Sequence, residues 1–91
     1  DDLVQDLLAA GLTHYYESED LWRKWRSITP REQDVAALAC LGFSNREIAA
    51  RLHISPNTVK SRLHNVLRKF NLRNRADLRV MLAEWDLTGW L

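Results

Sequence analysis

The chain has 91 residues, 46% of them hydrophobic, enough for one small domain with a single modest core. One cysteine excludes an internal disulfide, and no Cys/His spacing resembles a metal site. The formal net charge of +1 hides a strong asymmetry: residues 44–79 hold nine basic side chains against two acids, a local +7, whereas the first 27 residues stand at −3.

A basic region of this density inside a nearly neutral chain points to an anionic partner. No apolar run approaches the roughly 20 residues of a membrane helix, and nothing reads as a signal peptide, so a cytoplasmic, reducing location is expected. The chain begins with Asp1 rather than Met, and a piece of something longer is the expectation.

In chain order, Leu3, Val4, Leu7, Leu8 and Leu12 outline an amphipathic helix that Tyr15 and Tyr16 extend past Gly11. Residues 17–26 carry mixed charge, with Trp22 and Trp25 three apart on one helical face. One or two helices are therefore expected over residues 1–27, linking to an upstream part. The aromatic stripe reads as core, with a docking face for that missing part as the other use.

Thr29-Pro30-Arg31-Glu32 is a helix start, with a capping hydroxyl, proline at the first helical position and Glu32 to complete a capping box. Val35, Leu38, Ala39 and Leu41 keep a helical face, Cys40 among them as a buried thiol, and Gly42 is the expected stop. Ser44-Asn45-Arg46-Glu47 repeats the box ahead of Ile48, Ala49 and Leu52. His53-Ile54 makes a short turn, Ser55-Pro56 opens a third helix running to about Phe70, and Asn74 caps a fourth over roughly Arg75 to Trp85. Two helices joined by a turn of three or four residues form a helix-turn-helix unit. No stretch reads as a strand, and Trp90 is expected to fold back onto the core or onto a second chain.

On the third helix Val59, Leu63, Val66, Leu67 and Phe70 share one narrow sector, the core face. Opposite lie Asn57, Ser61, His64, Asn65 and Arg68, bordered by Lys60 on one side and by Thr58, Arg62 and Lys69 on the other. No acid occurs between Ser55 and Arg75, whereas an ordinary solvated helix interleaves Glu with Lys. Nucleic-acid contact explains that pattern. Lys60 suits guanine O6 or N7, and Asn57, Ser61 and His64 suit base edges. Thr58, Arg62, Arg68 and Lys69 flank the groove at phosphate positions, and the Ser55 hydroxyl with the first helical amides can hold another phosphate. Arg46 and Arg51 suit phosphates too, or stand as solvated charges. On the fourth helix Leu78, Leu82 and Trp85 face the core, which leaves Ala76, Val80 and Ala83 for a partner or for cover by residues 1–27.

The segments ITPRE, GFSNREIAARL, ISPNTVKSRLHNVLRKF and NLRNRADL together resemble the LuxR-type helix-turn-helix domain of bacterial transcription regulators, which includes the output domains of many two-component response regulators. The resemblance covers roughly 55 of the 91 residues. It implies an all-α fold, with a four-helix domain over residues 28–91 behind the N-terminal helical extension. It also implies that the third helix reads the major groove and that the fourth pairs two copies on an inverted-repeat operator. Carried over by position, base contacts fall on Lys60, Ser61 and His64, and phosphate contacts on Asn45, Ser55, Thr58, Arg68, Lys69 and Arg73. The implied partners are double-stranded DNA, a second copy of the chain, and RNA polymerase through the full-length regulator. No cofactor and no small-molecule ligand are expected.

Two other readings compete. TVKSRLH is also similar to the recognition helix in the promoter-reading domain of extracytoplasmic-function sigma factors, but those generally lack the NLRNRADL segment and the helix after it. A helical protein-interaction module explains the apolar faces and leaves the +7 region without a purpose. An enzyme finds no support in the residue inventory, which offers no nucleophile beside a base, no paired carboxylates in an apolar setting and no phosphate-binding glycine loop.

Overall fold

The computed structural model describes residues 19–91, and all regular structure among them is helical. Helix α1 covers residues 19–27, α2 Pro30–Cys40, α3 Asn45–Leu52, α4 Pro56–Lys69 and α5 Arg75–Met81, followed by a short 3-10 turn, Thr88–Trp90. The amphipathic stripe from Leu3 to Leu12 and the Tyr15-Tyr16 pair lie outside the described residues.

Local chemistry sets the helix starts. Thr29, Ser44, Ser55 and Asn74 each sit in extended backbone and accept the amide of the residue three positions on, at 2.9–3.2 Å. Such a cap satisfies an amide that the helix leaves unpaired. In α2 and α3 the reciprocal half of the capping box is present too, with Glu32 accepting the Thr29 amide at 2.8 Å and Glu47 the Ser44 amide at 3.0 Å.

Three helices stop alike. Gly42 (φ +98°), His53 (φ 57°) and Asn71 (φ 58°) adopt left-handed backbone, and the next amide reaches back five residues: Phe43 to the Leu38 carbonyl, Ile54 to Ala49, Leu72 to Leu67. This is the Schellman stop, and the apolar residue that completes it turns inward each time. Gly42 adopts the conformation without steric cost, and Asn71 is a common substitute.

Helix α2 lies at the centre, against α3, α4 and α5. Val35, Ala36, Ala37, Leu38 and Ala39 are all buried, and the three alanines let neighbouring helices approach closely. From α4 come Val59, Leu63 and Val66, with Phe70 just past its end; Leu78 and Leu82 close the core from the α5 side. Leu67, placed on the core face by its periodicity, is only partly buried. Cys40 is likewise half-buried, and burial raises its thiol pKa to about 11, which keeps it protonated and unreactive near neutrality.

The fourth helix of the expected domain is shorter than its periodicity predicted. Helix α5 ends at Met81, and the amides of Ala83 and Trp85 bond to the carbonyls of Val80 and Leu82 three residues back. That tightening brings Trp85 onto α1, edge to face with Trp22 and Trp25 at 5.4 and 5.5 Å between ring centres. Trp90 folds back as well: it meets Trp25 at 5.8 Å, and its indole nitrogen donates to Asp34 at 3.1 Å. Trp25 is thus core, as expected of the stripe, while Trp22 stays half exposed at its rim.

Candidate nucleic-acid interface

Residues 53–55 alone separate α3 from α4, so the two helices are held at an angle by one tight turn. Val59, Leu63 and Val66 anchor α4 on the core, and the 3.6-residue period then forces the opposite side outward. Asn57, Lys60, Ser61, His64 and Arg68 are all exposed on that side.

An open concavity runs between the start of α3 and the outer side of α4, lined by Asn45, Lys60, Ser61 and His64 over a floor that includes Leu63 and Leu67. A second depression continues it toward the end of α4, where His64 meets Arg68 and Arg73. The surface therefore gathers six of the twelve expected DNA-contacting residues along one track. Lys60, Arg68, Arg46 and Arg73 take part in none of the ion pairs among the described residues, so their charges are uncompensated.

At the head of α4, Ser55 and Thr58 share a hydroxyl–hydroxyl hydrogen bond of 2.9 Å, and the first turn carries no acid. The other three capped starts carry Glu32, Glu47 and Asp77 there. The positive end of α4 is thus the one left without a carboxylate, which favours an incoming anion.

Other expected contacts are already engaged. The Lys69 ammonium lies 3.4 Å from Glu32, pinning the end of α4 to the start of α2. Burial pushes the Glu32 carboxyl up, but the Thr29 amide, Lys69 and the Thr29 hydroxyl outweigh it and hold the pKa below its usual value of 4.5. Arg62 is half-buried, and its Nε is enclosed without a hydrogen-bond partner. Arg51 stacks over the Phe43 ring at 4.9 Å and donates to the Leu91 carbonyl at 2.6 Å, so it is engaged rather than a free solvated charge.

One residue of this surface escaped the sequence reading. Arg75 opens α5 and reaches back to the start of α3, donating to the Phe43 carbonyl at 2.9 Å and to Oδ1 of Asn45. A signal existed, because a cation in the first turn of a helix opposes the macrodipole and calls for a partner elsewhere. On the far side of α5, Ala76, Val80 and Ala83 are exposed, Val80 at 76%, and none of them is covered among the described residues. Ala83 lies in the turn after α5 rather than on the helix itself.

The family described as bacterial regulatory proteins, luxR family, matches residues 26–82. The HTH-type transcriptional regulator Mb0914c of Mycobacterium bovis is 46% identical over 56 residues, which is 62% of this chain and 6% of that protein. The transcriptional regulatory protein YhcZ of Bacillus subtilis is 37% identical over 79 residues, 86% of this chain and 37% of its own length. Among solved structures, the response regulator StyR superposes with a TM-score of 0.72 at 35% identity, covering 86% of this chain and 40% of that one. The chain therefore spans well under half the length of these relatives.

Proposed function

The chain belongs to the luxR family of bacterial regulatory proteins, and from that premise we propose that it is the DNA-reading part of a longer cytoplasmic transcription regulator. In this reading α4 lies in the major groove. Lys60 reads a guanine, and Asn57, Ser61 and His64 meet neighbouring base edges. Asn45, Arg46, Ser55, Thr58, Arg68 and Arg73 hold the flanking phosphates. Lys69 and Arg62 sit at the margin, where a phosphate would compete with Glu32 for the first.

The observation that carries the reading is the outer side of α4: base-reading and cationic groups share one exposed track with no carboxylate set against them. A solvated helix has no reason to leave that charge uncompensated. Two copies pair through Ala76, Val80 and Ala83 on an inverted repeat, and contact with RNA polymerase belongs to the full-length regulator.

Selection of bound sequences from a random duplex pool, followed by anisotropy titration of the winner at two salt concentrations, tests this. The expected winner is an inverted repeat with half-sites about one helical turn apart. Affinity should fall with salt by about 0.9 log unit per phosphate contact per log unit of salt. Absence of binding to any duplex at low salt overturns the reading in favour of an interaction module.

A further inference from the structure

Arg75 and Asn45 are separated by 30 positions in sequence and joined in space. A guanidinium only donates, whereas an asparagine amide has an accepting oxygen on one side and a donating nitrogen on the other. With Oδ1 turned to Arg75, the Nδ2 group must face the opposite way. Nδ2 makes no hydrogen bond among the described residues, and Asn45 lines the concavity shared with Lys60, Ser61 and His64.

Arg75 is held in turn by its second contact, the Phe43 carbonyl at 2.9 Å, just ahead of the α3 cap at Ser44. Both of its partners are neutral acceptors, so its charge is not spent on a carboxylate. A planar fork suits two acceptors at once; an ammonium is a point charge on a flexible stem.

We infer that Arg75 is a positioning residue for DNA binding: it fixes the amide of Asn45 with its donor toward the phosphate and thereby links α5, the proposed pairing helix, to the phosphate clamp at the start of α3. The inference rests on the DNA-reading role proposed above. Without the link, the Asn45 amide spends part of its time with its oxygen toward the anion, where it repels.

A double-mutant cycle on the 91-residue chain tests it, by anisotropy on the selected duplex and on an unrelated one, with thermal unfolding of every variant run alongside. Asn45→Ala and Arg75→Lys should each weaken both duplexes alike, by about three- to tenfold. Combining them should weaken binding no further than the worse single change. Asn45→Asp keeps the Arg75 contact as an ion pair, so its unfolding temperature should not fall, yet its binding should be the weakest of the set because a carboxylate then faces the phosphate. Full binding by Arg75→Lys, losses that multiply in the double variant, or wild-type affinity in Asn45→Asp would each overturn the inference while leaving the DNA reading intact. Unchanged binding in Lys60→Ala, measured in the same series, would count against the DNA reading itself.

Discussion

Lys60 and Arg68 stand two turns apart on the same exposed side of α4, yet they are assigned different work. Lys60 is nearer the end proposed to enter the groove, so Lys60→Ala should cost about 1–3 kcal/mol on the preferred duplex and less on others, which competition titrations would register as relaxed specificity. Arg68, beside Arg73 in the second depression, should behave as a phosphate contact. Arg68→Ala is expected to weaken all duplexes equally and to reduce the salt slope by about 0.9; a sequence-selective loss would move it to the base-reading group. At this scale the exposed side of α4 was legible, because a 3.6-residue period and the absence of acids are local properties of that helix. What was not legible is the set of ties that cross the chain. Lys69 to Glu32, Arg51 to Leu91 and Arg75 to Asn45 span 30 to 40 positions, and each depends on how helices dock rather than on spacing within one.

Helix starts and helix stops differ in how plainly they were written. All four starts use Thr, Ser or Asn to accept a nearby amide, a contact complete within four residues, and the sequence located each of them. Of the stops, only that at Gly42 used the expected residue. His53 pays for a left-handed conformation that glycine would adopt freely, so His53→Gly should raise stability by up to about 1 kcal/mol, visible as a higher midpoint of thermal unfolding. The end of α5 was overestimated because its apolar residues keep helical spacing through Trp85, while the turn itself tightens and sets Trp85 edge-on against Trp22 and Trp25. Between elements, the Glu32 carboxylate joins α2 to α4. Its pKa in the folded chain lies below that of the unfolded chain, so the stabilisation it supplies is complete above about pH 4.5 and is lost as pH falls through the lower, folded value. Glu32→Gln should therefore be less stable than wild type near neutrality and lose less on acidification, with the two unfolding curves converging at low pH.

Across the whole molecule, the proposed DNA-facing groups and the proposed pairing groups occupy separate surfaces around the buried α2. Pairing and DNA reading should accordingly be separable by mutation. Val80 is so exposed that Val80→Asp should change the stability of a single chain by no more than about 0.5 kcal/mol. The same change should abolish cooperative filling of two half-sites while leaving occupancy of one intact, as native mass measurement of the complexes would reveal. Wild-type cooperativity in that variant would place the pairing surface elsewhere. The all-helical architecture was readable from caps, periodicity and the turn between α3 and α4; the aromatic closure at the far end was not, since Trp22, Trp25, Trp85 and Trp90 converge from both ends of the described chain.

That convergence has an optical consequence. All four tryptophans sit on α1 or after α5, and neither α3 nor α4 carries one. Intrinsic emission from this protein therefore watches the indole cluster that joins α1 to the residues after α5. Unfolding should shift its spectrum strongly, whereas a duplex seated on α4 should pass almost unseen unless the arrival of a second copy disturbs the indoles beside α5.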